Sequence, residues 1–384
     1  MDPALNPYTP GSGRRPPSLQ GRDREIDAFD LLVARAKAGH YDRGMILSGL
    51  RGVGKTALLN QLRGQAERHQ WYTVKIEAQN STTGSRLNHK QLAIGLRNGM
   101  RKFSRVHALK QAGEQVMSLI EGSSLSVAGV SVSARDRDAV EDTLFDIEEI
   151  VEAVCELVAT KGVALAVFVD EMQDLDADLT AGLIVAQHRA NQEGWPFYVI
   201  GAGLPNLPSV LAESRSYAER LFFYSTIGAL GPDAARGALS DPAATVGGRF
   251  LPDALDLLLA ATEGYPYFLQ EFGSAAWEVS AASPFGTDDA AAAIEFGTAH
   301  LDQGFFPSRW DRATPAERRY LRSIAETGQT APRTAELSIS QNTAGPLRAA
   351  LIRKGIVYSP EHGRIAFTVP GMSGFIARQP HNDE

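Results

Sequence analysis

The chain has 384 residues, a net charge of −7, 43% hydrophobic residues and 22% charged residues. That length is too great for one compact core, so two or three domains are expected, with the composition of a soluble globular protein. The acidic balance argues against nonspecific nucleic-acid binding by the whole molecule and leaves room for a local basic surface.

Residues 1–18 carry five prolines and two glycines, which reads as an extended or disordered tail. No apolar stretch there suggests a secretory signal, and the expected location is cytoplasmic. Structure is expected from Leu19, where Gly21-Arg22-Asp23-Arg24-Glu25 opens a helix with Ile26, Phe29, Leu32 and Val33 at helical spacing.

The apolar run Met45-Ile46-Leu47 leads into Gly49-Leu50-Arg51-Gly52-Val53-Gly54-Lys55-Thr56, and Ala57 continues into a helix. This is the G-x-x-x-x-G-K-[ST] pattern in the strand–loop–helix setting it needs. Gly49, Gly52 and Gly54 let backbone N–H groups approach phosphate oxygens, and the helix turns its positive end toward them. Lys55 supplies a charge for the β- and γ-phosphates, and the Thr56 hydroxyl is a magnesium ligand. ATP and Mg²⁺ are the expected cofactors.

Residues 71–77 read as a second strand and 86–120 as a helix. Leu92, Leu96, Met100 and Phe103 form the core face of that helix. Arg86, Lys90, Arg97, Arg101, Lys102 and Arg105 make its other side basic, which fits a solvated face better than a nucleic-acid contact. Residues 124–133 alternate and suggest a short hairpin. A helix is expected over 142–158; Cys155, the single cysteine, lies on its apolar face and reads as packing. The eight histidines form no zinc-ligand spacing with it.

The run 163–169 is continuously apolar, as a strand buried on both faces should be, and is far too short to span a bilayer. It ends in Asp170-Glu171. Downstream of the phosphate loop, Asp170 is placed to hold magnesium and Glu171 to orient or deprotonate the attacking water. A further strand, 197–200, ends in Gly201-Ala202-Gly203. Arg220 stands before an aromatic run. Helices without strands follow over 231–310, with Pro266 in the first turn of one of them. Residues 311–378 then read as three helices and a hairpin, the pattern of a winged helix. Thr314 is the N-cap of the first helix and Pro315 its first residue. Between Thr314 and Arg378, nine Arg or Lys and four Glu leave a net +5.

Together these motifs resemble the AAA+ ATPases of the origin-recognition and initiator branch, and the related STAND switch ATPases. The resemblance implies an α/β P-loop fold with a parallel sheet in the order 5-1-4-3-2 over residues 19–230. A helical lid over 231–310 and a winged helix over 311–378 follow from it. It also implies that Gly21, Arg22 and Glu25 pack near the adenine and that Arg220 serves a nucleotide, in its own chain or a neighbour's. Two departures stand out. The strand ending at Gly203 carries no polar sensor side chain, Asn206 being the nearest candidate. Gly264-Tyr265-Pro266 stands where the lid's sensor arginine is expected.

The expected function is therefore a slow ATPase switch. Its winged helix contacts duplex DNA through 314–378, or else docks a protein partner, a second copy or its own chain. A scaffold that binds nucleotide without hydrolysing it fits less well with an intact Asp170-Glu171. Pro346 is expected to stop the third helix of the winged helix from reaching Gln341-Asn342-Thr343.

Overall fold

The computed structural model describes residues 1–11, 19–79, 82–123, 125 and 137–380. The hairpin expected over 124–133 lies outside these residues, apart from Leu125. Two compact units emerge. One comprises Arg22–Gly49 and Lys55–Ile227; the other comprises Met1–Gly21, Leu50–Gly54 and Gly228–Glu384.

The first unit is built on a five-stranded sheet. Its strands are β1 Gly44–Gly49, β2 Tyr72–Glu77, β3 Leu165–Asp170, β4 Phe197–Gly203 and β5 Phe222–Ile227. All pairings are parallel and the order is β2-β3-β4-β1-β5, the expected 5-1-4-3-2. The interior strands β1, β3 and β4 are buried along their whole length, which accounts for their unbroken apolar sequence. Leu92, Leu96, Met100 and Phe103 are all buried against the sheet, and so is Cys155. The helix expected over 86–120 is two helices, Thr82–His107 and Lys110–Gly122. Ala108 breaks them with a left-handed backbone (φ 54°). The chain thereby folds back and buries Val116 and Ile120 in the same core.

β4 begins before it reaches β1, whose register with it starts at Met45↔Ile200. The fully buried side chain of Gln187 serves the unpaired stretch. Its Oε1 accepts from Val199 N (2.9 Å) and its Nε2 donates to Phe197 O (3.2 Å).

In the second unit the helices Pro232–Thr245, Pro252–Thr262, Pro266–Val279 and Thr287–His300 form a bundle. The N-terminal residues 1–11 are not an extended tail. Tyr8 is buried and donates to Leu239 O, Trp277 Nε1 donates to Asp2 O (2.8 Å), and Asn6 Nδ2 donates to Ser274 Oγ (2.9 Å). A large ring and satisfied polar groups outweigh the proline content of this stretch.

The C-terminal segment has helices Pro315–Glu326 and Gln341–Arg353, a short 3₁₀ turn Thr334–Glu336, and an antiparallel pair, β6 Val357–Tyr358 and β7 Ala366–Phe367. A last helix, Met372–Arg378, was not foreseen. Thr314 and Glu317 form a reciprocal cap on the first helix. The expectation for Pro346 was wrong. The helix starts at Gln341 and Pro346 lies inside it, in the second turn; the missing N–H takes a helical donor from one carbonyl only, that of Asn342 in the first turn.

Replacing Gln187 by Leu keeps the volume and leaves the buried Val199 N–H unpaired. We expect a loss of about 2 kcal/mol in stability, read as a lower urea midpoint with an unchanged slope.

Candidate nucleotide site

Because the sheet is parallel, the ends of β1, β3 and β4 lie on one edge, where ligands bind in open α/β sheets. The phosphate loop leaves β1 at Gly49, and the helix Lys55–Arg68 follows it. Gly52 and Gly54 have φ of 84° and 89°, a region that costs any residue with a Cβ. The loop therefore needs glycine at both positions. Val53 and Ala57 are buried and hold the loop and the helix start in place.

Lys55 is only 7% exposed, and its Nζ donates to Gly49 O at 2.9 Å across the loop. Asp170, at the end of β3, is 4% exposed. Burial raises its pKa, while a hydrogen bond from the Thr56 hydroxyl and the charge of Lys55 act to hold it ionised. One of its oxygens accepts from Glu171 N at 3.0 Å. Lys55, Thr56 and Glu171 are thus all neighbours of Asp170. The Thr56 hydroxyl and the Asp170 carboxylate are hard oxygen donors in contact with each other, a pair that fits Mg²⁺ completed by water and phosphate oxygens. Among the described residues no cluster of three His, Cys, Asp or Glu offers a metal cage of another kind.

Arg22 is buried at the start of the helix Asp23–Lys37. Burial lowers its pKa, and Glu25 beside it acts against that. Glu25 is buried too, and its Oε1 accepts from the Ser225 hydroxyl on β5 at 2.6 Å. Gly21 has φ 64°, and a Cβ there would lie 2.9 Å from that of Ala234. The Gly-Arg-x-x-Glu element is therefore built into the fold and is not merely a charged helix start.

Arg220 is exposed in the short helix Ala218–Leu221. Pro266 opens the helix Pro266–Val279, whose Tyr267 N–H donates to Gly52 O at 3.1 Å. The Oδ1 of Asn206 is buried without a hydrogen-bond partner. The residue that does serve the end of β4 is Gln173, which the sequence reading passed over. Its Oε1 accepts from Leu204 N at 2.9 Å, and its Nε2 donates to Glu171 Oε2 at 2.7 Å. Its signal in the sequence was an amide two residues after an acidic pair, facing a strand that ends in glycine.

Residues 18–200 match the family described as an AAA ATPase domain. Residues 303–376 match a domain of unknown function. No curated protein matches the chain. Among solved structures, the chain is similar to the Walker-type ATPase PABY2304 of Pyrococcus abyssi, at 14% identity and TM-score 0.59, over 94% of this chain and 96% of that one. It is also similar to the Orc1 protein of Aeropyrum pernix, solved in complex with DNA, at 15% identity and TM-score 0.50, over 98% and 96%. At these identities the likeness is one of fold. Among the described residues no helix is long and apolar enough to cross a membrane.

Proposed function

We propose that this chain is an ATP-binding molecular switch that hydrolyses ATP slowly. The observation that carries this reading is the convergence of Lys55, Thr56, Asp170 and Glu171 at the ends of β1 and β3. The loop 49–56 cradles the phosphate tail, and Lys55 neutralises it. Magnesium held through Thr56 and Asp170 would screen the phosphate charge. Glu171 takes a proton from water as the water oxygen bonds to the γ-phosphorus and the bond to the bridging oxygen breaks. The products are ADP and phosphate. Slow turnover is supported by the absence of an arginine in Gly264-Tyr265-Pro266.

Lys55→Ala is expected to abolish ATP binding in calorimetry. Glu171→Gln is expected to keep it and to lose at least ~10²-fold in turnover. Parental affinity in the first variant, or parental turnover in the second, would remove that residue from its role.

Arg220 completes the site from a neighbouring copy. Its support is exposure on a surface helix rather than burial beside Lys55. A finger supplied in trans contributes ~10³-fold or more. Activity per chain should therefore rise with concentration and collapse in Arg220→Ala. Flat specific activity across a dilution series, with the variant fully active, would exclude it.

Two outputs fit the C-terminal segment, which we read as a winged helix. Contact with duplex DNA is supported by its net +5 and by exposed Arg333 and Arg353. An ATP-gated autoinhibitory or docking role is supported by one hydrogen bond: Arg51 N–H, in the phosphate loop, donates to Thr368 O beyond β7 at 3.3 Å. Anisotropy titration of a short duplex with the full chain separates them. DNA contact through these two arginines predicts low-salt binding with a slope of about −1.8 in log affinity against log salt, lost in Arg333→Ala/Arg353→Ala. No binding at low salt, with or without ATP, selects the docking reading.

A further inference from the structure

β4 ends in Gly201-Ala202-Gly203, and its neighbours explain why side chains are excluded there. A Cβ at Gly201 would collide with the sulfur of Met172. A Cβ at Gly203 would lie 2.5 Å from Oε1 of Gln173 and 2.8 Å from a methyl of Leu207. The space beside the end of β4 is thus filled from the 3₁₀ turn Met172–Asp174, which follows β3.

The Gln173 amide is oriented by its partners. Leu204 N–H can only donate, so it selects the amide oxygen (2.9 Å). The NH₂ group is thereby turned toward two carboxylates, Glu171 Oε2 at 2.7 Å and Asp174 Oδ2 at 3.1 Å. The opposite orientation would set N–H against N–H and oxygen against carboxylate oxygen. Glu171 itself has a left-handed backbone (φ 48°, ψ 42°), uncommon for a residue with a side chain and typical of positions held for a purpose.

We propose that Gln173 is the positioning residue of the hydrolytic site: its amide, anchored on the end of β4, fixes the plane of the Glu171 carboxylate. It fills the role that a polar side chain on β4 would have had. The glycines of β4 and the glutamine after β3 are then one device, since each makes room for or use of the other. This inference rests on Glu171 being the carboxylate that takes the water's proton.

Gln173→Met keeps length and volume and removes both polar functions. With the full chain and Mg-ATP, the expected result is a Kd within about twofold of the parent and a kcat lower by about ten- to a hundredfold. A loss confined to kcat, with the affinity for Mg-ATP kept, is a split that a merely structural role would not give. Gln173→Ala tests the same point with a smaller side chain. The double variant Glu171→Gln/Gln173→Met should be no slower than Glu171→Gln alone, because Gln173 acts only through Glu171.

Parental kcat in Gln173→Met, or an additive loss in the double variant, overturns the inference and leaves the ATPase reading standing. Parental turnover in Glu171→Gln overturns the assignment of Glu171 and this inference with it.

Discussion

A carboxylate buried at the end of a parallel strand must be compensated, and the nucleotide edge of this protein is arranged around that need. Asp170 is almost wholly shielded from water. Burial raises its pKa, and a protonated acid is a poor ligand for a cation. The Thr56 hydroxyl, the Glu171 N–H and the Lys55 ammonium act against that rise and offset part of it. They can do so because the strand order sets β3 and β1 on either side of β4, and Lys55 and Thr56 open the helix that follows β1. Lys55 is steadied in turn by Gly49 O. The same groups that compensate the buried acid are those that a magnesium–phosphate pair would engage.

The glycines of the site do two kinds of work. Gly52 and Gly54 are glycine for the backbone, whose φ values exclude a side chain on conformational grounds. Gly201 and Gly203 are glycine for space, within an ordinary strand, because Met172 and Gln173 occupy the room a Cβ would need. The second kind cannot be distinguished from a missing functional residue by sequence alone. A strand end without a polar side chain looks like a loss until the residue that fills the space is known.

The motifs were legible because each is a contiguous run whose chemistry is local. The loop 49–56, the apolar strand ending in Asp170-Glu171 and the cap at Thr314 could each be read in place. The fifth strand was not read from its residues, and its place came with the family resemblance. What escaped detection depends on contacts distant in sequence. Tyr8 is 231 residues from the carbonyl it binds, and Leu204 is 31 residues from Gln173. The break at Ala108 left no glycine or proline as a marker. Pro346 misled for a related reason: a proline weakens a helix through the turn before it, and here little helix precedes it.

Charge counted along a sequence is also not the charge a surface presents. The +5 of the C-terminal segment suggested a polyanion-binding face, but much of it is engaged within the fold. Lys354 Nζ sits 2.5 Å from Glu317 Oε2 and donates as well to Arg312 O. Burial would push the Glu317 carboxyl up, yet Lys354 and the Thr314 cap outweigh it and hold it below the usual range. Arg348 donates to Ser359 Oγ at 2.8 Å, bracing the turn between β6 and β7. Arg364 donates to Ala331 O and pairs with Glu361. For these side chains to reach a phosphate they must first leave carbonyls and carboxylates that the fold relies on, and the free energy of doing so is subtracted from any binding they give. Arg333 and Arg353 are exposed on the same segment. Arg319 is exposed there as well, so the electrostatic case for a nucleic-acid surface rests on these three side chains and not on the full +5.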